Sequence, residues 1–413
     1  MTRQRHVIVG GGVAAASAAA TRRGQGFDGE IWIVSDDEVL PYERPPLSKQ
    51  FLSPQTEGTP TLAKPTEWYE SNDITVQLRT RVSALDVSAK RLTLSTGEEL
   101  PYDKVLLATG SRARTLPHVH SDRILTLRSL ADAQVVRTLL AEGDRIAVLG
   151  GGFIGCEAAS TAISMGKRVT VLERTETLMQ AALGAVIGGV MTDVHRAAGA
   201  HVLTGAVVQN IEETPTTLVA RTDHGVVVEA DLVLVGAGSQ PNVELAQEAG
   251  LEIAGGIVTD EFSRTSAADV YAAGDVAATF HPHYGEHLRV EHHDSAIRHG
   301  TSAAKNMLGL EDPFLEAHWF WSDQYDHSIQ QVGRARPDDE VVVRGSLDDL
   351  SFSAFNLRKG RITRIISLNR PKDVLQVRRM LFADHTVTAA QLQDEATPLN
   401  RLAPRKQPAR VEA

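Results

Sequence analysis

The chain has 413 residues, is 42% hydrophobic and has a formal net charge of −10, which is enough apolar material for two or three domains and the wrong overall sign for binding nucleic acid. No apolar run reaches the roughly 20 residues that spanning a bilayer requires. The first strand begins almost at once, which leaves no room for a signal peptide and predicts a cytoplasmic protein with no membrane partner. A single cysteine, Cys156, excludes an internal disulfide and any intramolecular dithiol redox centre.

The first predicted element is the apolar run His6-Val7-Ile8-Val9, which turns at Gly10-Gly11-Gly12 into the small-residue stretch Ala14 to Ala20. Strand, tight turn and helix form the layout of a dinucleotide-binding fingerprint, with Ala15 as its third small position. Glycine lets the backbone approach a pyrophosphate, and the helix N-terminus supplies N–H donors and partial positive charge. The next β-like run, Ile31 to Ser35, ends in Asp36, a carboxylate able to accept from ribose hydroxyls. A Pro-rich loop, PYERPPLSK over 41–49, leads through strands expected near 75–78, 91–94 and 104–108 to the turn Thr109-Gly110-Ser111. There the first nucleotide-binding half passes to a second.

The second half repeats the pattern. Arg145 to Leu149 lead into Gly150-Gly151-Gly152-Phe153-Ile154-Gly155, a helix opens with Cys156-Glu157, and the run Val169 to Leu172 ends in Glu173. A carboxylate here favours the free ribose hydroxyls of NADH over the extra phosphate of NADPH, with Arg174 beside it pulling the other way. One cofactor needs only one fingerprint, so two with paired acids point to two adenine dinucleotides; the bland alternative is two Gly-rich turns in an ordinary sheet. The half closes at a strand over 231–235 and the turn Gly236-Ala237-Gly238.

A third turn, Tyr271-Ala272-Ala273-Gly274-Asp275, follows as if the chain had returned to the first half, and is read as opening a further helix. Six histidines, His281, His283, His287, His292, His293 and His299, then crowd together without the spacing or cysteine partners of a zinc site, so no metal is expected. From His318 the pattern changes to β-runs near 328–332, 340–344, 351–357 and 362–368, then a helix starting near Pro371. Asn356 to Arg379 holds eight basic residues against the single acid Asp373. That is either a face that steers an acidic macromolecule or a solvated surface. The fold class predicted is α/β, with two Rossmann-like dinucleotide-binding domains for FAD and NAD, a discontinuous 1–110 with 236–317 and an inserted 111–235, followed by a C-terminal α+β interface domain over 318–413.

The GGG start, PYERPPLSK, ATGSRAR, GGGFIGCE, GAGSQPN, YAAGDVA and HWFWSDQ together resemble the FAD-dependent, NADH-linked ferredoxin reductases that serve bacterial Rieske oxygenases and haem monooxygenases. The resemblance covers nearly the whole chain. Its specific parts are RPPLSK and FWSDQ, because the glycine motifs and the Gly-Asp turn are shared by the wider glutathione-reductase-like flavoprotein superfamily. It implies an FAD site built from Gly10, Gly12, Ala15, Asp36, Arg44, Lys49, Thr109, Gly110, Arg128, Gly274, Asp275, Glu291 and His292. It implies an NADH site built from Gly150, Gly152, Ile154, Gly155, Glu157, Glu173 and Gly238.

The catalytic residues it implies are Lys49 near flavin N5, Glu157 as the partner that places that lysine, and Trp321 beside the isoalloxazine. On a strand, Trp319 and Trp321 would share a face. R-V-E-H-H over 289–293 is similar to the family's R-x-E-x-W, with His293 where an aromatic is frequent. The implied reaction takes electrons from NADH through FAD and delivers them singly to a small acidic [2Fe-2S] ferredoxin that feeds an oxygenase, from a monomer or homodimer. The alternatives are a rubredoxin reductase, and an NADH-sensing flavoprotein resembling apoptosis-inducing factor. Peroxidase relatives place a redox cysteine in the loop where this chain has Leu47-Ser48-Lys49; Cys156 lies elsewhere and is read as a buried small hydrophobe.

Overall fold

Arg5–Val9, buried in all but its first residue, is the middle strand of a five-stranded parallel sheet, as continuous apolar runs are when both faces of a sheet are covered. The structure is a computed structural model that describes residues 3–117, 119 and 121–402, so the end of the expected C-terminal domain, 403–413, lies outside the described residues. The strand order is Val270–Ala272, Lys104–Leu107, Arg5–Val9, Glu30–Val34 and Ile74–Gln77, parallel throughout. Sequence order reverses at Arg5–Val9, and the crevice beyond the carboxyl end of such a strand is where open α/β sheets bind ligands. A second five-stranded parallel sheet has the order His201–Leu203, Arg168–Leu172, Arg145–Leu149, Leu232–Val235 and Ile124–Leu125. Its reversal falls at Arg145–Leu149, so both glycine fingerprints begin at a switch point.

The helix after the first fingerprint, Val13–Gly24, buries Ala14, Ala15, Ala16, Ala18 and Ala19. Side chains this small let the helix His293–Met307 lie close against it: a Cβ on Gly300 would fall 2.3 Å from the Ala14 carbonyl oxygen, an approach that only glycine permits. Gly274-Asp275 does not open a helix, contrary to the sequence reading. A single 3-10 turn, Gly274–Val276, passes directly into the strand Ala277–His281, which pairs in parallel with Ile257–Thr259. Val276, Ala277, Ala278 and Thr279 are all buried, and the apolar and β-branched side chains gain more from that pairing than from a helical turn.

Two compact units separate along the chain, Met1–Leu178 with His195–Glu316, and Met179–Val194 with Ala317–Ala413. The first holds both five-stranded parallel sheets and the smaller two- and three-stranded ones. The second is built on a five-stranded antiparallel sheet in the order Trp319–Gln324, His327–Gly333, Arg361–Leu368, Ser351–Arg358 and Glu340–Ser346. Val332, Phe355, Ile365, Val377 and Leu392 form part of its core. Buried Arg344 donates to the carbonyls of Leu392, Asp394, Glu395 and Thr397, which fastens the end of the described chain to the sheet. The architecture is thus of the predicted α/β class. Among the described residues no helix is long and apolar enough to cross a membrane.

Candidate active site

Each fingerprint turn is shaped by its sheet. Gly10 has φ +122° and a Cβ there would stand 2.2 Å from the Ala108 carbonyl oxygen; Gly150 has φ +102° and would meet the Gly236 carbonyl oxygen at 2.4 Å. Both positions require glycine for backbone conformation and for space. Gly12 and Gly152 cap the helices Val13–Gly24 and Phe153–Ser164 in extended conformation with no side-chain cap, which leaves those helix ends to a ligand's oxygens. Ala15 is buried inside the first helix, Gly155 packs under the second turn, and Ile154 projects outward.

Beside the first turn stands Arg44. Its Nη1 lies 3.8 Å from where a Gly12 Cβ would be, its guanidinium lies over the Tyr42 ring at 5.5 Å, and its Nε is buried without a partner. An unsatisfied guanidinium N–H at the mouth of an uncapped helix fits the pyrophosphate of a dinucleotide. Tyr42 is itself fixed, its hydroxyl accepting from Leu130 N at 3.0 Å. Asp36 is exposed just past the strand, and the neighbouring Asp37 carboxylate lies 3.8 Å from Arg44 Nη2; burial raises the Asp37 carboxyl above its usual range while Arg44 lowers it.

Lys49 and Glu157 meet although they lie on different glycine modules. Lys49 Nζ is 2.9 Å from Glu157 Oε2 and also donates to the Pro45 carbonyl at 3.3 Å. The Ser48 hydroxyl donates to the same Glu157 oxygen, and Thr161 Oγ1 donates to the Ser48 carbonyl at 3.0 Å. The site therefore holds a buried carboxylate between an ammonium and a hydroxyl. Ser48 was missed in the sequence because a serine between a leucine and a lysine gives no periodic or spacing signal.

A third cluster surrounds the Gly274-Asp275 turn. Arg128 Nη2 pairs with Asp275 Oδ2 at 2.5 Å and its Nε donates to the Ser111 carbonyl at 3.0 Å; Arg289 Nη1 donates to the Asp275 carbonyl at 3.3 Å. Glu291 accepts from Arg289 and from Ser239. His292 is the N-cap residue of His293–Met307, and burial pushes its imidazole down to about 4. Thr109 and Gly110 are held by Asn242, which exchanges two 2.8 Å bonds with Thr109 and donates its backbone N–H to the Gly110 carbonyl at 3.0 Å. Gly238, with φ +88°, accepts from Arg114 N at 2.9 Å.

At the second turn Glu173 is pre-oriented. Its Oε2 accepts from Gly151 N at 2.6 Å, and its Oε1 accepts from Thr175 N at 2.7 Å and Thr175 Oγ1 at 2.8 Å. The remaining lone pairs can serve ribose hydroxyls. Cys156 is fully buried and burial pushes its thiol far up, which removes it as a nucleophile at neutral pH. The six histidines do not converge: His281 bonds the Glu316 carbonyl, His287 packs on Phe280, His293 pairs with Glu43 and His299 lies under Gly274.

In the second unit, Trp321 lies on Trp319–Gln324 with its ring stacked on Trp319 at 5.1 Å and 20°. Three arginines of the basic segment are paired with carboxylates within that unit. Arg358 forms a two-point pair with Asp339 at 2.7 and 2.9 Å, Arg361 pairs with Asp384, and Arg370 pairs with Asp373 and Glu395. Arg364 donates to the Asn356 side chain and the Ala182 carbonyl. Lys359, Lys372 and Arg379 remain exposed.

Residues 4–300 match the family described as pyridine nucleotide-disulphide oxidoreductase, and residues 319–403 match its reductase C-terminal domain. The chain is 37% identical over 397 residues, 95% of its length and 98% of the relative's, to the ferredoxin–NAD(+) reductase component of the anthranilate 1,2-dioxygenase system of Burkholderia cepacia. The chain belongs to the FAD-dependent ferredoxin reductase family. This ferredoxin reductase is also 33% identical to putidaredoxin reductase of Pseudomonas putida, across 96% of each chain. Its fold matches the ferredoxin reductase for the CYP199A2 system of Rhodopseudomonas palustris with TM-score 0.93 and 33% identity, over 97% of this chain and 100% of that one. It matches the reductase of the covalent putidaredoxin reductase–putidaredoxin complex with TM-score 0.92 and 32% identity, over 97% and 98%. The family's cofactors are FAD and NAD(H), and the uncapped helix ends with the unpartnered Arg44 Nε fit two such dinucleotides.

Proposed function

We propose that this chain is an NADH:ferredoxin oxidoreductase acting in the cytoplasm, passing electrons through FAD to a small acidic [2Fe-2S] ferredoxin that feeds an oxygenase. When bound, FAD accepts two electrons from NADH together and releases them one at a time. The observation that carries the reading is the Lys49–Glu157 pair, which joins the loop after the first fingerprint to the helix of the second at 2.9 Å. Lys49 supplies positive charge where the flavin ring would gain negative charge, and Glu157 places that ammonium while Ser48 keeps the carboxylate satisfied as the lysine shifts. For Trp321 the role beside the isoalloxazine rests on the FWSDQ motif.

In this reading Gly10, Gly12, Ala15, Asp36, Arg44, Thr109, Gly110, Arg128, Gly274, Asp275, Glu291 and His292 hold FAD, and Gly150, Gly152, Ile154, Gly155, Glu173 and Gly238 hold NADH. The proposed FAD part, 1–110 with 236–317, and NAD part, 111–235, follow sheet membership, since Val270–Ala272 joins the first sheet and Ile124–Leu125 the second. Ferredoxin docking draws on Lys359, Lys372 and Arg379 rather than on the paired arginines of 356–379.

Anaerobic stopped-flow reduction by NADH and NADPH, then mixing with [2Fe-2S] ferredoxins and a rubredoxin, tests the proposal. Fast bleaching by NADH and fast reoxidation by a ferredoxin are expected. Slow bleaching, or no reoxidation by any carrier, would overturn it in favour of an NADH-sensing flavoprotein.

A further inference from the structure

We infer that His299 is a positioning residue for FAD, holding the Gly274-Asp275 turn from beneath through its Nδ1; this rests on the reading of that turn as part of the FAD site. Gly274 N donates to His299 Nδ1 at 3.2 Å. The other ring nitrogen, Nε2, lies 3.1 Å from Ser263 Oγ and 3.2 Å from Thr279 Oγ1, and Thr279 is bonded in turn to Thr259 at 2.8 Å. The ring is stacked on Phe314 at 4.8 Å and 26°. An imidazole whose Nδ1 accepts from a backbone N–H must carry its proton on Nε2, which then donates to one of the two hydroxyls.

The geometry gives this imidazole a specific task. Gly274 has φ +77° and stands just past the sheet strand Val270–Ala272, at the head of the turn Gly274–Val276. The imidazole takes up the buried Gly274 N–H at the head of that turn, one residue before Asp275, whose carboxylate is held by Arg128 and Ser111. The neighbouring Gly300 presses on the Ala14 carbonyl of the first fingerprint helix. One segment, His299-Gly300, therefore touches both the Gly-Asp turn and the first fingerprint helix. Burial keeps the ring neutral, with its imidazole pushed down to about 4, so Nδ1 stays an acceptor throughout the working pH range.

The test is the rate at which FAD leaves the holoenzyme on dilution, followed by the rise in flavin fluorescence, for His299→Leu, His299→Asn and His299→Gln. Asn places its Oδ1 near the position of Nδ1, whereas Gln mimics Nε2. Loss of the acceptor leaves the buried Gly274 N–H unsatisfied, and FAD release should accelerate about tenfold or more in Leu and Gln while staying within about threefold of the wild type in Asn. Wild-type rates in Leu, or rescue by Gln and not by Asn, would overturn the inference. Asp275→Ala runs alongside: unchanged FAD release there defeats the reading of the turn itself, whereas faster release in Asp275→Ala with none in His299→Leu defeats only the role of His299. Should the Leu variant fail to fold, the nitrogen-15 spectrum of the wild-type holoenzyme decides, since a proton on Nδ1 rather than Nε2 would overturn the assignment.

Discussion

Replacing Lys49 with methionine removes the ammonium 2.9 Å from Glu157 Oε2 and leaves behind a carboxylate only 5% exposed. Breaking a buried ion pair by removing one partner costs about 3–5 kcal/mol when the survivor is left uncompensated. Glu157 keeps the Ser48 hydroxyl, and a hydrogen bond to a charged group offsets about 1.5–3 kcal/mol of that cost. Lys49→Met should therefore destabilise by about 2 kcal/mol. Glu157→Gln should cost only about 1 kcal/mol, because the freed lysine keeps the Pro45 carbonyl and can turn toward water. The double variant should resemble Glu157→Gln alone, giving a coupling of about 2 kcal/mol in a double-mutant cycle of urea unfolding. In stopped flow, reduction by NADH should slow at least about tenfold in Lys49→Met. Additive single effects would show that the two groups are not coupled, and an unchanged reduction rate would remove Lys49 from the chemistry.

Glu173→Ala should lower kcat/KM for NADH by roughly tenfold or more and narrow its advantage over NADPH, and Thr175→Val should do so by only a few fold, as steady-state kinetics with both coenzymes would record. Lys372→Glu should slow ferredoxin reduction at low salt and flatten its ionic-strength dependence. Arg358→Glu should instead lower the unfolding midpoint, because it sets a second carboxylate against Asp339, whose side chain is 1% exposed; equal kinetic effects from both reversals would refute the distinction. For His299, burial pushes the imidazole from its ordinary value of 6.5 down to about 4 in the folded state. Above pH 6.5 the two states bind the same protons; between there and about 4 the unfolded chain is protonated and the folded one is not, so stability falls as the pH falls, by up to about 3 kcal/mol. Urea midpoints from pH 7.5 to 5 should drop more steeply in the wild type than in His299→Asn, and parallel curves would contradict the argument.

What the sequence made legible was the backbone framework. Apolar runs such as His6 to Val9 and Ile146 to Leu149, followed by glycines and small residues, specify strand, turn and helix because few other conformations bury them. The alternation of Trp319 and Trp321 with Phe320 likewise read correctly as a strand with the two tryptophans on one face. What stayed hidden depends on residues far apart in the chain. The basic run 356–379 looked unpaired because Asp339, Asp384 and Glu395 lie outside it, yet the fold brings all three to its arginines. The strand after Asp275 was misread as a helix because its partner, Ile257–Thr259, precedes the turn. Ser48, Thr175, Asn242 and His299 act through side-chain and backbone hydrogen bonds, which leave no pattern in a sequence.

The two glycine modules correspond residue for residue at the strand end, and their differences are informative. Val9 pairs with Val34 as Leu149 pairs with Leu172, and Gly10 N and Gly150 N each donate to the latter residue's carbonyl at 2.8 Å. The next position is Ser35 in one module and Glu173 in the other, so the acids read at Asp36 and Glu173 are not equivalent. Glu173 is bonded to the turn itself through Gly151 N, while a Cβ on Gly152 would meet no atom within 4 Å. In the first module the carboxylates are displaced along the chain and the cation Arg44 stands at the open side of Gly12. A fixed guanidinium holds a doubly charged pyrophosphate more firmly than backbone N–H groups and a helix end alone. FAD has to remain through many turnovers and NADH has to leave after each one; the module with the cation suits the resident cofactor, and the module without it suits the one that exchanges.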